Sequence, residues 1–334
     1  MIVMGIETSC DDTAASVVVD GREVLSDVVS SQNLIHHPYG GVVPELASRK
    51  HVEAITPVVN ASVKQSGLNI KSIDGIAVTR GPGLKGSLLV GFCFAKSVAF
   101  ALNIPWIGVN HLKGHLNSVF LDKKHPEFPF VALLASGGHT GIYHVCSHTN
   151  VELMGQTRDD AAGEAFDKVA KMLGFGYPGG SIISSLAEGG DPEKIHFPRS
   201  YLDKFKFDFS FSGIKTSVNR YIQTHDAAAY EGEKEDIAAG FQEAVVEVLC
   251  FKLINAAKEK GCRQIAIVGG VAANNRLREK IILDAKKNSL EVFMPGLNLC
   301  GDNGAMIAAL GYHYLKEGKT SDFDCDVYSR SLKG

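Results

Sequence analysis

The sequence predicts an α/β protein built from two duplicated lobes, and three observations carry that prediction. Apolar β-rich runs alternate with helical patterns along the chain, the pattern of sheets covered by helices. One supersecondary pattern occurs twice: residues 2–19 and 130–145 each read as strand, tight polar turn, strand. The length, 334 residues, exceeds one ordinary small domain. We place residues 1–125 in the first lobe and 126–334 in the second, with the two facing one another.

The elements follow in order. After the first hairpin, residues 23–29 continue as a strand. Residues 41–64 read as a helix with Pro44 near its start and Pro57 as an expected kink. Residues 73–79 form a strand, and the Gly81-Pro82-Gly83 loop opens an apolar helix reaching Leu102. The strand 105–110 hands over to a helix at His111. Helices are expected over 163–173, 181–187 and 236–260, the last with Ile237, Phe241, Val245, Val248 and Leu249 at apolar positions. Residues 264–268 are a buried strand ending in Gly269-Gly270. A helix over 275–287, a strand over 291–294 and a helix over 302–314, with Asp302 at its N-cap, complete the chain.

Composition narrows the function classes. A net charge of −3 supplies no global basic field for nucleic acid, so RNA contacts must come from local patches or partners. Seven scattered cysteines without a C-x-x-C pair predict reduced thiols rather than a disulfide frame. The first basic residue is Arg22, which argues against a signal peptide. The longest apolar run, residues 88–102, contains Lys96 and falls short of the ~20 residues of a bilayer span. A buried helix, and a soluble cytoplasmic protein without membrane contact, are expected.

The chemistry-bearing residues cluster in a few motifs. His111 and His115 stand four apart, a spacing that stacks both rings on one helix face within reach of one metal. Two ordinary histidines at helical spacing are the alternative. The peptidase pattern H-E-x-x-H would need Glu at position 112, where this chain has Leu112. Asp302 is a third ligand candidate, or simply a helix cap. Three loops suit a nucleotide: Thr8–Thr13, Ser136-Gly-Gly-His-Thr140, and Val268–Asn275 running through glycines into a helix. Neither a Rossmann nor a P-loop fingerprint is present. Glu164 and Asp167 share a helix, where they form a solvated face or Asp167 takes ribose hydroxyls. Tyr177-Pro-Gly-Gly180 is a plain turn or closes over a base or sugar.

Read together, several of these stretches resemble one family. Met4-Gly-Ile-Glu-Thr-Ser-Cys-Asp-Asp-Thr13, Tyr39-Gly-Gly-Val-Val-Pro-Glu-Leu-Ala-Ser-Arg49, Thr79-Arg-Gly-Pro-Gly-Leu84, the His111/His115 pair, Ser136-Gly-Gly-His-Thr140, Phe207-Asp-Phe-Ser-Phe-Ser-Gly-Ile-Lys-Thr216 and Gly269-Gly-Val-Ala-Ala-Asn274 carry the resemblance. It is to TsaD, the bacterial branch of a universal family whose archaeal and eukaryotic members belong to the KEOPS complex. The resemblance implies two actin/Hsp70/sugar-kinase-like (ribonuclease-H-like) lobes with a central nucleotide cleft. It implies transfer of a threonylcarbamoyl group from threonylcarbamoyl-AMP to N6 of adenosine 37 in tRNAs reading ANN codons, giving t6A. By the same resemblance His111, His115 and Asp302 bind one divalent metal per subunit, Fe2+ or, as second candidate, Zn2+. Leu134, Ala135, Ser136, Gly137, Gly138, Asp167, Gly180 and Asn274 contact the adenylate, or ATP/ADP, in the cleft. Where relatives often carry a proline and an acid after the Tyr-Pro-Gly-Gly run, this chain has Ser181 and Ser184. The implied partners are TsaB, the ATPase TsaE and the tRNA anticodon loop.

The chemistry sets further expectations. Asp11 is either a turn cap or the acceptor of the amine proton. No Ser-His-Asp or Cys-His nucleophile set stands out, so direct transfer is expected. Arg49, Lys50, His51, Lys204, Lys206, Lys215 and Arg220 are candidate RNA contacts. Phe205, Phe207, Phe209 and Phe211 alternate on one strand face, for stacking on bases or for a core. The apolar helix 88–102 is the candidate TsaB interface, with an interior role as the alternative. The competing functions are a metalloprotease and an ATP-binding scaffold.

Overall fold

A computed structural model describes residues 1–202, 206–225 and 232–330. The chain divides into two compact units, Met1–His125 with Pro295–Gly334, and Pro126–Met294. Residues 295–330, expected in the second lobe, thus belong to the first.

The first unit is built on a five-stranded sheet of order β3-β2-β1-β4-β5. Its strands are β1 (Ile2–Glu7), β2 (Asp12–Val19), β3 (Glu23–Ser31), β4 (Gly75–Gly81) and β5 (Trp106–Asn110). β1 pairs antiparallel with β2 and parallel with β4, so Met4 lies opposite Val17 on one side and Ile76 on the other. Buried runs such as Ala14–Val18 fit a sheet covered on both faces. The helices here are α1 (Asn33–His36), α2 (Pro44–Gln65), α3 (Lys85–Leu102) and α4 (His111–Ser118).

By length and composition α3 is apolar enough to cross a membrane. Here Leu88, Phe92, Ala95 and Ala99 join the core of the sheet, with Phe92 edge-on to Trp106 at 5.3 Å. The opposite face is open to solvent at Cys93 and at Phe100, which is 76% exposed. The helix expected to be buried is therefore buried along one stripe only.

Val3, Val18, Ala77 and Val109 on the sheet's other side meet Met306, Ile307 and Leu310 of a C-terminal helix, Gly304–Lys316. That packing explains why the C-terminal stretch leaves the second lobe: its helix is apolar nearly all round and finds its partner on β1.

The second unit repeats the first sheet strand for strand, in the order β10-β9-β6-β7-β8. These strands are β6 (Phe130–Ala135), β7 (Thr140–Val145), β8 (Val151–Gln156), β9 (Gln264–Val268) and β10 (Glu291–Phe293). Its helices are α5 (Ala162–Met172), α6 (Gly179–Ala187), α7 (Ser212–Thr224), α8 (Lys234–Lys260) and α9 (Asn275–Lys287), and the first unit's C-terminal helix becomes α10. The two hairpins anticipated from sequence are β1–β2 and β6–β7.

Phe207, Phe209 and Phe211 are buried, and among them only Phe209 makes a strand-like bridge, to Thr157. They form core rather than a base-stacking face. Lys204 and Phe205 lie outside the described residues.

On α10, burial and the Lys316 cation lower His313 to about 4, with Glu317 opposing. The folded chain thus refuses a proton that the unfolded chain accepts below its ordinary value of 6.5. Stability from this group is full above pH 6.5 and declines as pH falls toward 4. His313→Gln is expected to flatten the thermal midpoint between pH 7.5 and 4.5 relative to wild type. An unchanged slope in a pH series of melting curves would refute the assignment.

Candidate functional site

Each unit holds one constellation. In the first unit, β5 ends at Asn110, whose side chain accepts the Lys113 N–H and caps α4. The cap starts the helix at His111, so His111 and His115 fall one turn apart on the same face. Their ring centroids are 4.7 Å apart at an interplanar angle of 82°. Both are buried.

Asp302 reaches this pair from the chain's far end. His115 Nε2 lies 3.1 Å from Asp302 Oδ1, and His111 Nε2 lies 3.6 Å from the same oxygen. The sequence offers Asp302 as a third metal ligand or as a helix cap; the capping role falls to Asn303, whose side chain accepts the Met306 N–H at 2.8 Å. Shifting the cap by one residue leaves the Asp302 carboxylate directed at the histidines.

The donors fit a divalent cation. Two imidazole nitrogens and a carboxylate oxygen lie within 4.8 Å of one another, a ligand set suited to Zn2+ or Fe2+ with positions left for substrate. His115 Nδ1 is buried without a hydrogen-bond partner. The surroundings carry excess negative charge. Burial, then Asp302, push Asp12 up to about 7, with Asp11 and Glu7 adding and a Ser31 hydrogen bond opposing. Burial works to lower His111, but Glu7 and Asp302 prevail and push it up to about 9. A cation relieves that crowding.

Sequence reasoning passed over Glu7. It is fully buried at the end of β1, and its carboxylate accepts from His111 Nδ1 at 2.9 Å. The signal was a lone acid in an otherwise apolar strand. Asp11 sits in the β1–β2 turn, where its carbonyl accepts the Gln32 N–H.

In the second unit, a cavity of roughly 460 Å³ is lined by Gly137, Gly163, Phe166, Asp167, Tyr177, Pro178, Gly180, Ser184, Glu188 and Asn274, among others. α5 carries Asp167, which accepts the Gly179 N–H at 2.7 Å and ties α5 to the first turn of α6. Gly163 sits against the Ser136–Gly137 turn, where a Cβ would meet the Ser136 carbonyl at 2.6 Å. Asn274 caps α9 by accepting the Leu277 N–H and donates to Gln242 Oε1 at 2.7 Å. Its side chain is therefore held in place where it lines the cavity.

The sequence-predicted adenylate residues separate into two groups. Gly137, Asp167, Gly180 and Asn274 line this cavity. Leu134 and Ala135 are fully buried in β6, and Ser136 turns its hydroxyl onto the His139 N–H at 3.2 Å. A Cβ at Gly137 or Gly138 would meet nothing within 4 Å, which leaves open room beside the turn.

Most candidate RNA contacts are otherwise engaged. His51 is buried between Thr13 and the Cys10 carbonyl, Lys215 pairs with Asp160, and Arg49 and Lys50 pair with Glu45 and Glu53. Glu164 pairs with Lys168 on an exposed face, so it is the solvated member of its helix. Lys206 and Arg220 remain exposed.

Known proteins resemble this chain over nearly its full length. The family described as TsaD, tRNA N6-adenosine threonylcarbamoyltransferase, matches residues 23–309. A protein of that name from Desulforapulum autotrophicum is 59% identical over 331 residues, covering 99% of both chains. One from Syntrophobacter fumaroxidans is 52% identical over 336 residues, again covering 99% of both. Among solved structures, full-length HypF superposes over 96% of this chain and 47% of its own, with a TM-score of 0.64 at 15% identity. Component A of the (R)-2-hydroxyglutaryl-CoA dehydratase from Acidaminococcus fermentans covers 96% of this chain and all of its own, with a TM-score of 0.56 at 14% identity. At that identity the structural likeness speaks to the fold, which is of the actin-like kind with two duplicated lobes.

Proposed function

Because the chain belongs to the TsaD family of tRNA N6-adenosine threonylcarbamoyltransferases, we propose that it makes t6A with the help of one divalent cation. The donor is threonylcarbamoyl-AMP and the acceptor is N6 of adenosine 37 in tRNAs reading ANN codons. The observation that carries the metal-dependent reading is the approach of Asp302 to His111 and His115 from 187 residues beyond His115 in sequence.

The donor is a mixed anhydride. N6 attacks its carbamoyl carbon, the C–N bond forms, the C–O bond to phosphate breaks, and AMP leaves with the electron pair. The N6 proton passes to a base, for which Asp11 is our candidate. AMP is a good leaving group and the adenine amine a poor nucleophile, so catalysis rests on positioning and on stabilising developing charge. His111, His115 and Asp302 would hold the cation, Fe2+ or Zn2+, which supplies a Lewis acid for a carbonyl or phosphoryl oxygen. The cavity beside Asp167 and Gly180 takes the adenosine, and the Gly137-Gly138 turn takes the phosphate through backbone N–H groups. Leu134 and Ala135 would support that turn from within β6, and Asn274 would form the opposite wall.

The net charge of −3 leaves tRNA binding to local residues and partners. We propose TsaB and TsaE as those partners, the exposed face of α3 as the TsaB contact, and the cytoplasm as the compartment. Leu112 occupies the place of a peptidase's general base, so proteolysis is not favoured.

A reconstituted assay with tRNA, synthetic threonylcarbamoyl-AMP, both partners and controlled metal tests the reading. It should yield t6A only when the metal is supplied. Binding of ATP without consumption of the adenylate would instead indicate a scaffold.

Within the cavity, Asp167→Ala removes the link to Gly179 and a carboxylate from the wall. KM for threonylcarbamoyl-AMP is expected to rise by about tenfold, the scale of one charge-assisted hydrogen bond. Asp167→Asn should recover part of it. An unchanged KM in initial-rate measurements would remove Asp167 from the substrate site.

A further inference from the structure

We infer that Glu7 is the positioning residue of the cation site, locking His111 so that Nε2 alone faces the cation. The inference rests on the cation-site reading above and extends it to a residue outside the ligand set.

Glu7 closes β1, a strand paired on both sides and fully buried at this end. Its two oxygens take three donors. Oε1 accepts the Ser9 N–H at 2.5 Å, and Oε2 accepts the Thr79 hydroxyl at 2.5 Å and His111 Nδ1–H at 2.9 Å. An ionised carboxylate only accepts, so this geometry puts the proton of His111 on Nδ1. In the neutral ring, the form that binds a cation, Nε2 then carries the lone pair, on the side where Asp302 Oδ1 lies 3.6 Å away. Donation to a carboxylate also makes the imidazole a stronger ligand.

The two histidines are therefore unequal. His111 is fixed from behind by a buried acid that β1, the Ser9 turn and β4 all hold. His115 Nδ1 is buried with no hydrogen-bond partner, so nothing comparable sets its ring. A buried carboxylate is costly unless donors meet its lone pairs; Glu7 has three, and one of them, from His111, also orients a metal ligand.

The test measures metal binding rather than turnover. Wild-type protein and Glu7→Gln are titrated with Co2+ and with Zn2+ against a chelator, and the Co2+ visible spectrum is recorded. Glu7→Gln should bind about 10–100-fold more weakly, with a shifted Co2+ band. Glu7→Asp, which keeps the charge but withdraws it by one methylene, should fall between. Equal affinity and an identical spectrum in Glu7→Gln would overturn the inference and leave Glu7 a strut of the sheet. If wild-type protein itself binds neither metal, the cation site falls and this inference with it. Should Glu7→Gln fail to fold, nitrogen NMR of the Zn2+-loaded wild type decides. His111 must show a protonated Nδ1 and a metal-bound Nε2, and the reverse assignment would overturn the inference.

Discussion

His115→Ala and Asp302→Ala are each expected to abolish stoichiometric metal binding and to cut t6A formation by about 100-fold or more. The size follows from the geometry. Among the described residues three ligand atoms converge, all within 4.8 Å, so losing one leaves two of these donors. Outer support residues alone are worth about 10–100-fold in affinity, and a direct ligand exceeds them. The two variants should fold. His115 is fully buried, and Ala there removes the ring that packs edge-on against His111. Asp302 is partly exposed and is not the cap of α10, a task that Asn303 performs. Elemental analysis of purified protein and chromatography of digested tRNA give the two readouts. A metal-free variant that modifies tRNA normally would end the metal-dependent scheme.

Gly5→Ala is expected to have the largest effect on stability. Gly5 is in the middle of β1, against the start of α10, where a Cβ would lie 2.0 Å from the Gly304 carbonyl oxygen and 2.5 Å from the Ala308 N. Both obstacles are backbone, so neither can rotate away. Overpacking of a core costs about 1–3 kcal/mol, and contact this close falls at or above the upper end. A shift of α10 would also carry Asp302 away from His115. The melting temperature and the metal affinity should therefore fall together. A variant that melts like wild type, or loses stability while keeping full metal affinity, would show that α10 and the cation site are not mechanically joined.

Much of this fold was legible because period and punctuation agree along the chain. The strand over 264–268 and the helix over 275–287 have the bounds read from sequence. The doubled hairpin was visible because each turn is short, polar and flanked by apolar β-rich runs. What escaped was long-range. No local pattern tells that α10 packs on β1, because an apolar helix matches any apolar sheet face. The cap of α10 was misread by one residue because Asp302 and Asn303 are both good caps. That error mattered, since a capping Asp302 would have its carboxylate occupied by backbone. At the site, the His pair was legible from its spacing, whereas Glu7 was not. Its meaning comes from β1, β4 and α4 meeting, which only the folded chain arranges. The ion pairs of the basic candidates were hidden for a similar reason: a lysine's partner, such as Asp160 for Lys215, is invisible in a one-dimensional reading.

The return of residues 295–330 to the first unit makes residues 126–294 an insertion within it. During synthesis, β1 to α4 therefore emerge long before the helix that must cover one face of their sheet. The nascent first unit waits with Val3, Val18 and Ala77 uncovered until the ribosome has translated past Leu310. The inserted unit is contiguous and can complete itself in the interval. Loss of even the final forty residues would strip the earliest-made sheet of its lid.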